Sequence, residues 1–230
     1  MITTTPHLAG VMERLGGAFT VYYCMDDWQN WPGLLKNTIP AWEGRLVQSS
    51  RLVVATSDEL IKAHKGNAQA TLLLPHGVDV DHFAKAKASR RPVRRLTYFG
   101  LFDARTDQEL LHRVASSRPA ATIEIIGPVQ VDVTRLKALP NVEFRGPVPY
   151  RELPDALKGS DVLLLPYRND RLAQSINPLK IRECLATGKP VVATALPELV
   201  GMPGLHTANS VDERSEEHTS ELQSHSFYLV

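Results

Sequence analysis

The sequence predicts an α/β protein made of two Rossmann-like, doubly wound parallel-sheet domains. Three observations carry this. Short apolar runs alternate with helix-forming segments along most of the 230 residues, the pattern of strand–helix–strand units. The runs are apolar throughout, with no polar alternation, as expected of parallel strands covered on both faces. The alternation breaks once, over Pro75–Pro92, and then resumes.

In the first half, Ala18–Cys24 reads as a strand closed by Asp26 and Asp27, and Trp31–Gln48 as a helix opened by Pro32. Arg51–Thr56 is a strand, Ser57 caps a helix over Asp58–Lys65, and Thr71–Leu74 is the next strand. Pro75–Pro92 holds His76-Gly77-Val78-Asp79 and, with the residues just after it, four arginines, Arg90, Arg91, Arg94 and Arg95, and reads as a linker. Beyond it the strands are Leu96–Phe99, Thr122–Ile126, Val142–Phe144, Val162–Leu165 and Val191–Thr194. The helices between them are Asp107–Ser117, Val133–Leu139, Arg151–Lys158 and Pro178–Thr187. Right-handed crossovers place ligands at the C-terminal ends of such strands.

Apolar residues make up 43% and charged residues 22%, ordinary for a globular protein, and a formal net charge of +1 gives no support for nucleic acid as a partner. The arginines at 90–95 lack interleaved aromatics and fit a solvated linker. Two cysteines, Cys24 and Cys184, far apart in sequence, suggest neither a disulfide framework nor a metal cluster, and each reads as a small core residue in a reducing cytoplasm. The sequence shows no signal peptide and no apolar run long enough to span a bilayer. The expected location is cytoplasmic, with peripheral contact at the inner face of the membrane left open.

The most informative stretch is residues 177–194. Asn177 suits a helix cap, Pro178 its first turn, and Gly188 its stop. Lys180 falls in the first turn, with Glu183 three residues on and on the same face. Open N–H groups and the positive dipole end of a helix attract phosphate, a lysine there adds to the attraction, and a carboxylate one turn on can hold sugar hydroxyls. A nucleoside diphosphate needs that combination. The two side chains alone also fit an exposed ion pair worth about 0.2–0.5 kcal/mol.

The full string, Asn-Pro-Leu-Lys-Ile-Arg-Glu-Cys-Leu-Ala-Thr-Gly-Lys-Pro-Val-Val, resembles the nucleotide-sugar-binding segment of GT-B glycosyltransferases of group 1, in particular the bacterial cell-surface polysaccharide enzymes. In that family the lysine contacts the diphosphate and the glutamate the ribose, which implies those roles for Lys180 and Glu183. Gly100 and Arg105, followed by Asp107, resemble the family's loop after the first donor-domain strand, where the arginine lies near the diphosphate. A glycine turn with a solvated arginine is the plain alternative. Leu163-Leu164-Leu165-Pro166-Tyr167 resembles a segment lining the nucleotide pocket, so Pro166 and Tyr167 are candidates, against a strand that simply ends in a packed tyrosine. Gly146 matches a loop that approaches the base, or is only a turn.

The resemblance is looser in the first half. Asp26 or Asp27, at a strand end facing the cleft in these enzymes, is a candidate catalytic base toward the acceptor hydroxyl, with a helix cap the alternative for either. Retaining members carry two glutamates eight positions apart; here the earlier position is Ser175, which leaves stereochemistry open. His76 reads as structural, His64, His82 and His112 as surface residues, and Trp28, Trp31 and Trp42 as core.

The resemblance implies residues 1–82 as the C-terminal part of an acceptor-side domain, 83–93 as a linker and 94–213 as a truncated donor domain. It implies sugar transfer from a nucleoside diphosphate sugar, with no cofactor and no metal, to a glycan or lipid-linked acceptor. A GT-B nucleotide-sugar epimerase and a non-catalytic nucleotide-binding fragment are the alternatives. Residues 214–224, Arg-Ser-Glu-Glu-His-Thr-Ser-Glu-Leu-Gln-Ser, resemble the translation of a common sequencing adapter, so 214–230 reads as a foreign tail. With a start that lacks a complete first strand–helix unit, the expectation is an incomplete enzyme that does not itself transfer sugar.

Overall fold

The computed structural model describes residues 1–15, 19–31, 33–34, 37–87 and 93–208. Pro32, Arg90, Arg91 and the segment 214–230 lie outside them. The chain forms two units: Met1–Gly77 with Asp170–Pro178, and Val78–Asn169 with the segment from Leu179 onward.

The first unit is built on four parallel strands in sequence order, β1 (Ile2–Thr3), β2 (Val21–Cys24), β3 (Leu52–Ala55) and β4 (Thr71–Leu73). Helices α1 (Ala9–Arg14), α2 (Thr38–Ser49) and α3 (Asp58–His64) connect them. Tyr22, Cys24, Leu46, Val53 and Leu60 form its core. Helix α2 starts at Thr38, seven residues later than Trp31, because Trp28–Trp31 is held in turns, with Asn30 N donating to Asp27 O at 3.1 Å and Trp31 N to Trp28 O at 3.4 Å, and Pro40, which lacks an N–H, fits a first turn. Ser57 Oγ accepts from Leu60 N at 3.2 Å, so the expected cap of α3 is present.

The second unit has helices α4 (Val80–Phe83), α5 (Gln108–Ser117), α6 (Thr134–Lys137) and α7 (Leu153–Leu157), with strands β5 (Arg95–Phe99), β6 (Thr122–Ile126), β7 (Val142–Gly146) and β8 (Val162–Leu165). After α8 (Arg171–Ser175), which belongs to the first unit, come α9 (Leu179–Ala186), β9 (Val191–Thr194) and β10 (Leu205–Ala208). The sheet order is β10-β9-β8-β5-β6-β7, all parallel. Numbered from β5 as the first strand, this is the doubly wound 3-2-1-4-5-6 order, whose direction of winding reverses between its first and fourth strands. In sheets of this order ligands bind outside the C-terminal ends of the strands flanking that reversal, which here are β5 and β8.

The stretch expected to be a linker contains structure. Asp79 Oδ1 accepts from His82 N at 2.9 Å and caps α4. Phe83 is fully buried against Phe99 and Tyr150, and burying a phenylalanine contributes about 1.5–3 kcal/mol. That anchor draws Val78–Lys87 into the second unit, so the division falls at Gly77 rather than at residue 82.

Candidate functional site

Lys180 stands in the first turn of α9 and runs back over the end of β5. Its Nζ donates to the Tyr98 hydroxyl at 3.2 Å and lies 5.1 Å from the centre of that ring. Tyr98 in turn donates to the Leu101 carbonyl at 2.6 Å. The lysine stem fits there because residue 100 is glycine: a β-carbon on Gly100 would overlap Lys180 Cε and Nζ. Gly100 has φ +106°, a conformation that side-chain-bearing residues rarely adopt. The row continues: a β-carbon on Gly127 would strike the Gly100 carbonyl oxygen. Gly127 N donates to Gly146 O at 2.8 Å, so Gly100, Gly127 and Gly146 line the ends of three adjacent strands.

The loop after β5 is stitched to the loop after β8. Thr106 bridges Tyr167, Asp107 N donates to Pro166 O at 2.7 Å, and Arg168 N donates to Arg105 O at 2.8 Å. Tyr167 is buried, and burial pushes its phenol well above the usual range. Asp107 Oδ1 accepts from Leu110 N at 2.9 Å and caps α5. Arg105 reaches this loop with its guanidinium forked onto Asp103, Nε at 3.0 Å and Nη2 at 2.7 Å from Oδ2. Burial raises the Asp103 carboxyl, but the Arg105 hydrogen bonds outweigh it and, with Lys180 nearby, hold the group below the usual carboxylate range. Arg105 thus brings a partner that sequence reading missed, since a loop aspartate two residues away gives no periodic signal.

Glu183 is half-buried, one turn into α9. Burial raises its carboxyl above the ordinary 4.5, against the pull of Lys180 and His82. His82 does more than sit at the surface: its ring stacks on Tyr150 with centroids 4.7 Å apart, and its Nε2 is 3.0 Å from the Tyr150 carbonyl oxygen. Glu183, His82 and Tyr150 therefore form a second group beside Lys180, with both acidic neighbours of the lysine, Asp103 and Glu183, drawn from different elements.

The remaining candidates lie in the first unit. Asp27 is a turn-former: its Oδ1 accepts from Asn30 N at 3.3 Å and its Oδ2 from Asn30 Nδ2 at 2.6 Å. Ser175 Oγ donates to the same Oδ2 at 3.1 Å, while Ser57 Oγ donates to the Ser175 carbonyl at 2.6 Å. Asp26 precedes it, its carbonyl accepting from Trp28 N at 3.1 Å. Asn177 and Pro178 are buried, and the helix that they were expected to open begins at Leu179. His64, read from sequence as exposed, is buried, because it closes α3 against Cys24 and Glu43. Burial, with Glu43 adding to it, pushes the Cys24 thiol up to about 12.

A doubly wound sheet with a lysine-bearing helix N-terminus at its switch point is the architecture of an α/β nucleotide-binding domain. The family described as "Glycosyl transferases group 1" matches residues 94–223, and the chain belongs to it. That match enters the segment read as foreign, through residue 223. The chain is 28% identical over 177 residues to "Putative teichuronic acid biosynthesis glycosyltransferase TuaH" of Bacillus subtilis (strain 168), covering 70% of this chain and 45% of that protein. It thus spans less than half the length of this curated relative.

Among solved structures, Anabaena Alr3699/HepE in complex with UDP and glucose superposes with a TM-score of 0.65 at 18% identity, over 91% of this chain and 63% of that one. A mutant of S. aureus TarM, in complex with Fondaparinux, alpha-GlcNAc-glycerol and UDP, gives 0.65 at 13% identity, over 93% and 46%. These likenesses establish the GT-B fold. Among the described residues no helix is long and apolar enough to cross a membrane.

Proposed function

We propose that this chain is the donor-binding part, with a portion of the acceptor side, of a glycosyltransferase of cell-surface polysaccharide synthesis. The intact enzyme moves a sugar from a nucleoside diphosphate sugar to a glycan or lipid-linked acceptor. The observation that carries the reading is the placement of Lys180 across Gly100 at the switch point of the sheet. Uridine diphosphate is the favoured carrier, supported by the UDP held in the HepE and TarM structures.

In this reading the Lys180 ammonium and the open N–H groups of α9 take up the charge that develops on the diphosphate as the glycosidic bond breaks. Such fixed positive groups act where charge appears, without reorganising at the moment of reaction. Arg105, its charge shared with Asp103, sits in the same loop as Gly100 and adds to that field. Glu183 accepts from the ribose hydroxyls. Gly146, Pro166 and Tyr167 shape the pocket walls, and Asn177, buried just before α9, completes the donor-side set. Asp26 or Asp27 is the proposed base toward the acceptor hydroxyl, with Asp27 held in place by Asn30 and Ser175.

Titration of the chain with uridine, UMP and UDP tests this. Affinity should rise with each phosphate, by a factor consistent with about 1.5–3 kcal/mol per charge-assisted bond. Affinity that does not depend on phosphate number would refute it.

A further inference from the structure

We propose that Cys24, Glu43 and His64 form a metal site in the first unit, with zinc as the ion its donors suit best. The three residues come from the end of β2, the middle of α2 and the last position of α3. Positions so far apart show no ligand spacing in the sequence, and only the fold brings them together.

The geometry is that of a coordination triangle. Cys24 Sγ is 3.6 Å from His64 Nε2 and 4.0 Å from Glu43 Oε1, and His64 Nε2 is 3.6 Å from Glu43 Oε1. Zinc bonds of about 2.3 Å to sulfur and about 2.0–2.1 Å to nitrogen and oxygen, at tetrahedral angles, place donor atoms roughly 3.3–3.6 Å apart. Each edge here is within about 0.5 Å of that spacing. A thiolate, an imidazole and a carboxylate are also the ordinary zinc donor set. The Asp26 carbonyl oxygen, 3.5 Å from Sγ, or a water supplies the fourth position.

Burial and the surrounding bonds argue the same way. All three side chains are buried, Glu43 to 3% exposure. A carboxylate in that setting stands only if paired or bound to a cation. Zn²⁺ with one thiolate, one carboxylate and a neutral imidazole makes a unit of zero net charge. The carboxylate is oriented from outside the triangle: Tyr22 donates its hydroxyl to Oε1 at 2.7 Å, and Gln29 Nε2 donates to Oε2 at 3.0 Å. Supporting bonds of this kind hold metal ligands in place. The ion would tie α2 and α3 to the end of β2, two residues before Asp26, and so fix the strand end that carries Asp26 and Asp27.

The test is metal content and cobalt(II) spectroscopy on the 230-residue chain. Purified in zinc and then desalted, it should hold about one zinc per chain. After chelation and cobalt loading it should show a thiolate-to-cobalt charge-transfer band with tetrahedral d–d bands. The band should vanish in Cys24→Ala and persist in Cys184→Ala. Glu43→Gln, which keeps the shape of the side chain, should weaken zinc binding at least tenfold. Less than about a tenth of a zinc per wild-type chain with no charge-transfer band would overturn the proposal, as would a band that survives in Cys24→Ala. The wild-type measurements decide the matter even if a variant fails to fold.

Discussion

Lys180 occupies the space that a β-carbon on Gly100 would fill, and its Nζ rests 3.2 Å from the Tyr98 hydroxyl. The lysine comes from α9 and the glycine from the loop after β5, about eighty residues apart in sequence but joined through the two strands that flank the switch point, β5 and β8. The proposed phosphate-binding charge is therefore set by backbone geometry as much as by the lysine itself.

Gly100→Ala should displace the lysine. The methyl group meets Cε and Nζ, and alanine is strained at φ +106°, at a cost of about 1–2 kcal/mol. UDP affinity should fall at least about tenfold, a loss of about 1.4 kcal/mol, while uridine affinity changes little. Calorimetric titration of both ligands checks this, and undiminished UDP binding would count against the role given to Lys180.

Gly127→Ala should act on the fold instead. Its added methyl would strike the backbone carbonyl of Gly100, which cannot swing aside like a side chain. The expected loss is about 2–4 kcal/mol in urea unfolding, larger than that of Gly100→Ala. Equal losses in the two variants would show that the strand ends give way more easily than their packing implies.

Much of the second sheet was legible in the sequence. The apolar runs Thr122–Ile126, Val162–Leu165 and Val191–Thr194 are strands with those bounds, because buried parallel strands carry no competing pattern. Strand β7 differs. Its residues alternate as Val142-Glu143-Phe144-Arg145, because it is a sheet edge with one face in water. Helix α8 was missed: five residues are too few to show a period, and its signal is the single cap Asp170, whose Oδ1 accepts from Ala173 N at 2.9 Å. In the site, Lys180, Glu183 and Gly100 are candidates through the resemblance of their strings to the family's, since spacing alone also fits an exposed ion pair and a plain turn. Asp103 on Arg105, His82 on Tyr150, and Cys24 with Glu43 and His64 could not be read from the sequence, since each pairing is made by loop shape or by elements distant in sequence.

Glu183 should show a conflict between stability and binding. Burial raises its carboxyl above 4.5 in the folded chain, so the folded state holds this proton more tightly than the unfolded state. The stability this contributes is complete below the unfolded value and lost as pH rises through the folded one. At pH 7 the ionised group is therefore a net cost. Glu183→Gln should raise Tm at pH 7, by a margin that shrinks toward pH 4, while weakening UDP, UMP and uridine alike by about 10-fold or more. A lower Tm at pH 7 would contradict the burial argument.

Lys189, in the Gly-Lys-Pro string after α9, has a structural job. It is buried, and its Nζ donates to the carbonyls of Ser160 at 2.7 Å, Lys87 at 3.2 Å and Lys158 at 3.4 Å. Lys189→Met keeps the stem but leaves three carbonyls without this donor. Stability should drop by about 2–4 kcal/mol, with UDP affinity of the folded protein within about twofold of wild type. A large selective loss of UDP binding would instead place Lys189 in the site.

The most direct measurement compares UDP and uridine binding to wild type and Lys180→Ala by calorimetry. A charge-assisted bond worth about 1.5–3 kcal/mol means that UDP should weaken roughly 10- to 150-fold and uridine less than about twofold. Equal weakening of the two ligands, or none for UDP, would contradict the placement of the diphosphate on Lys180.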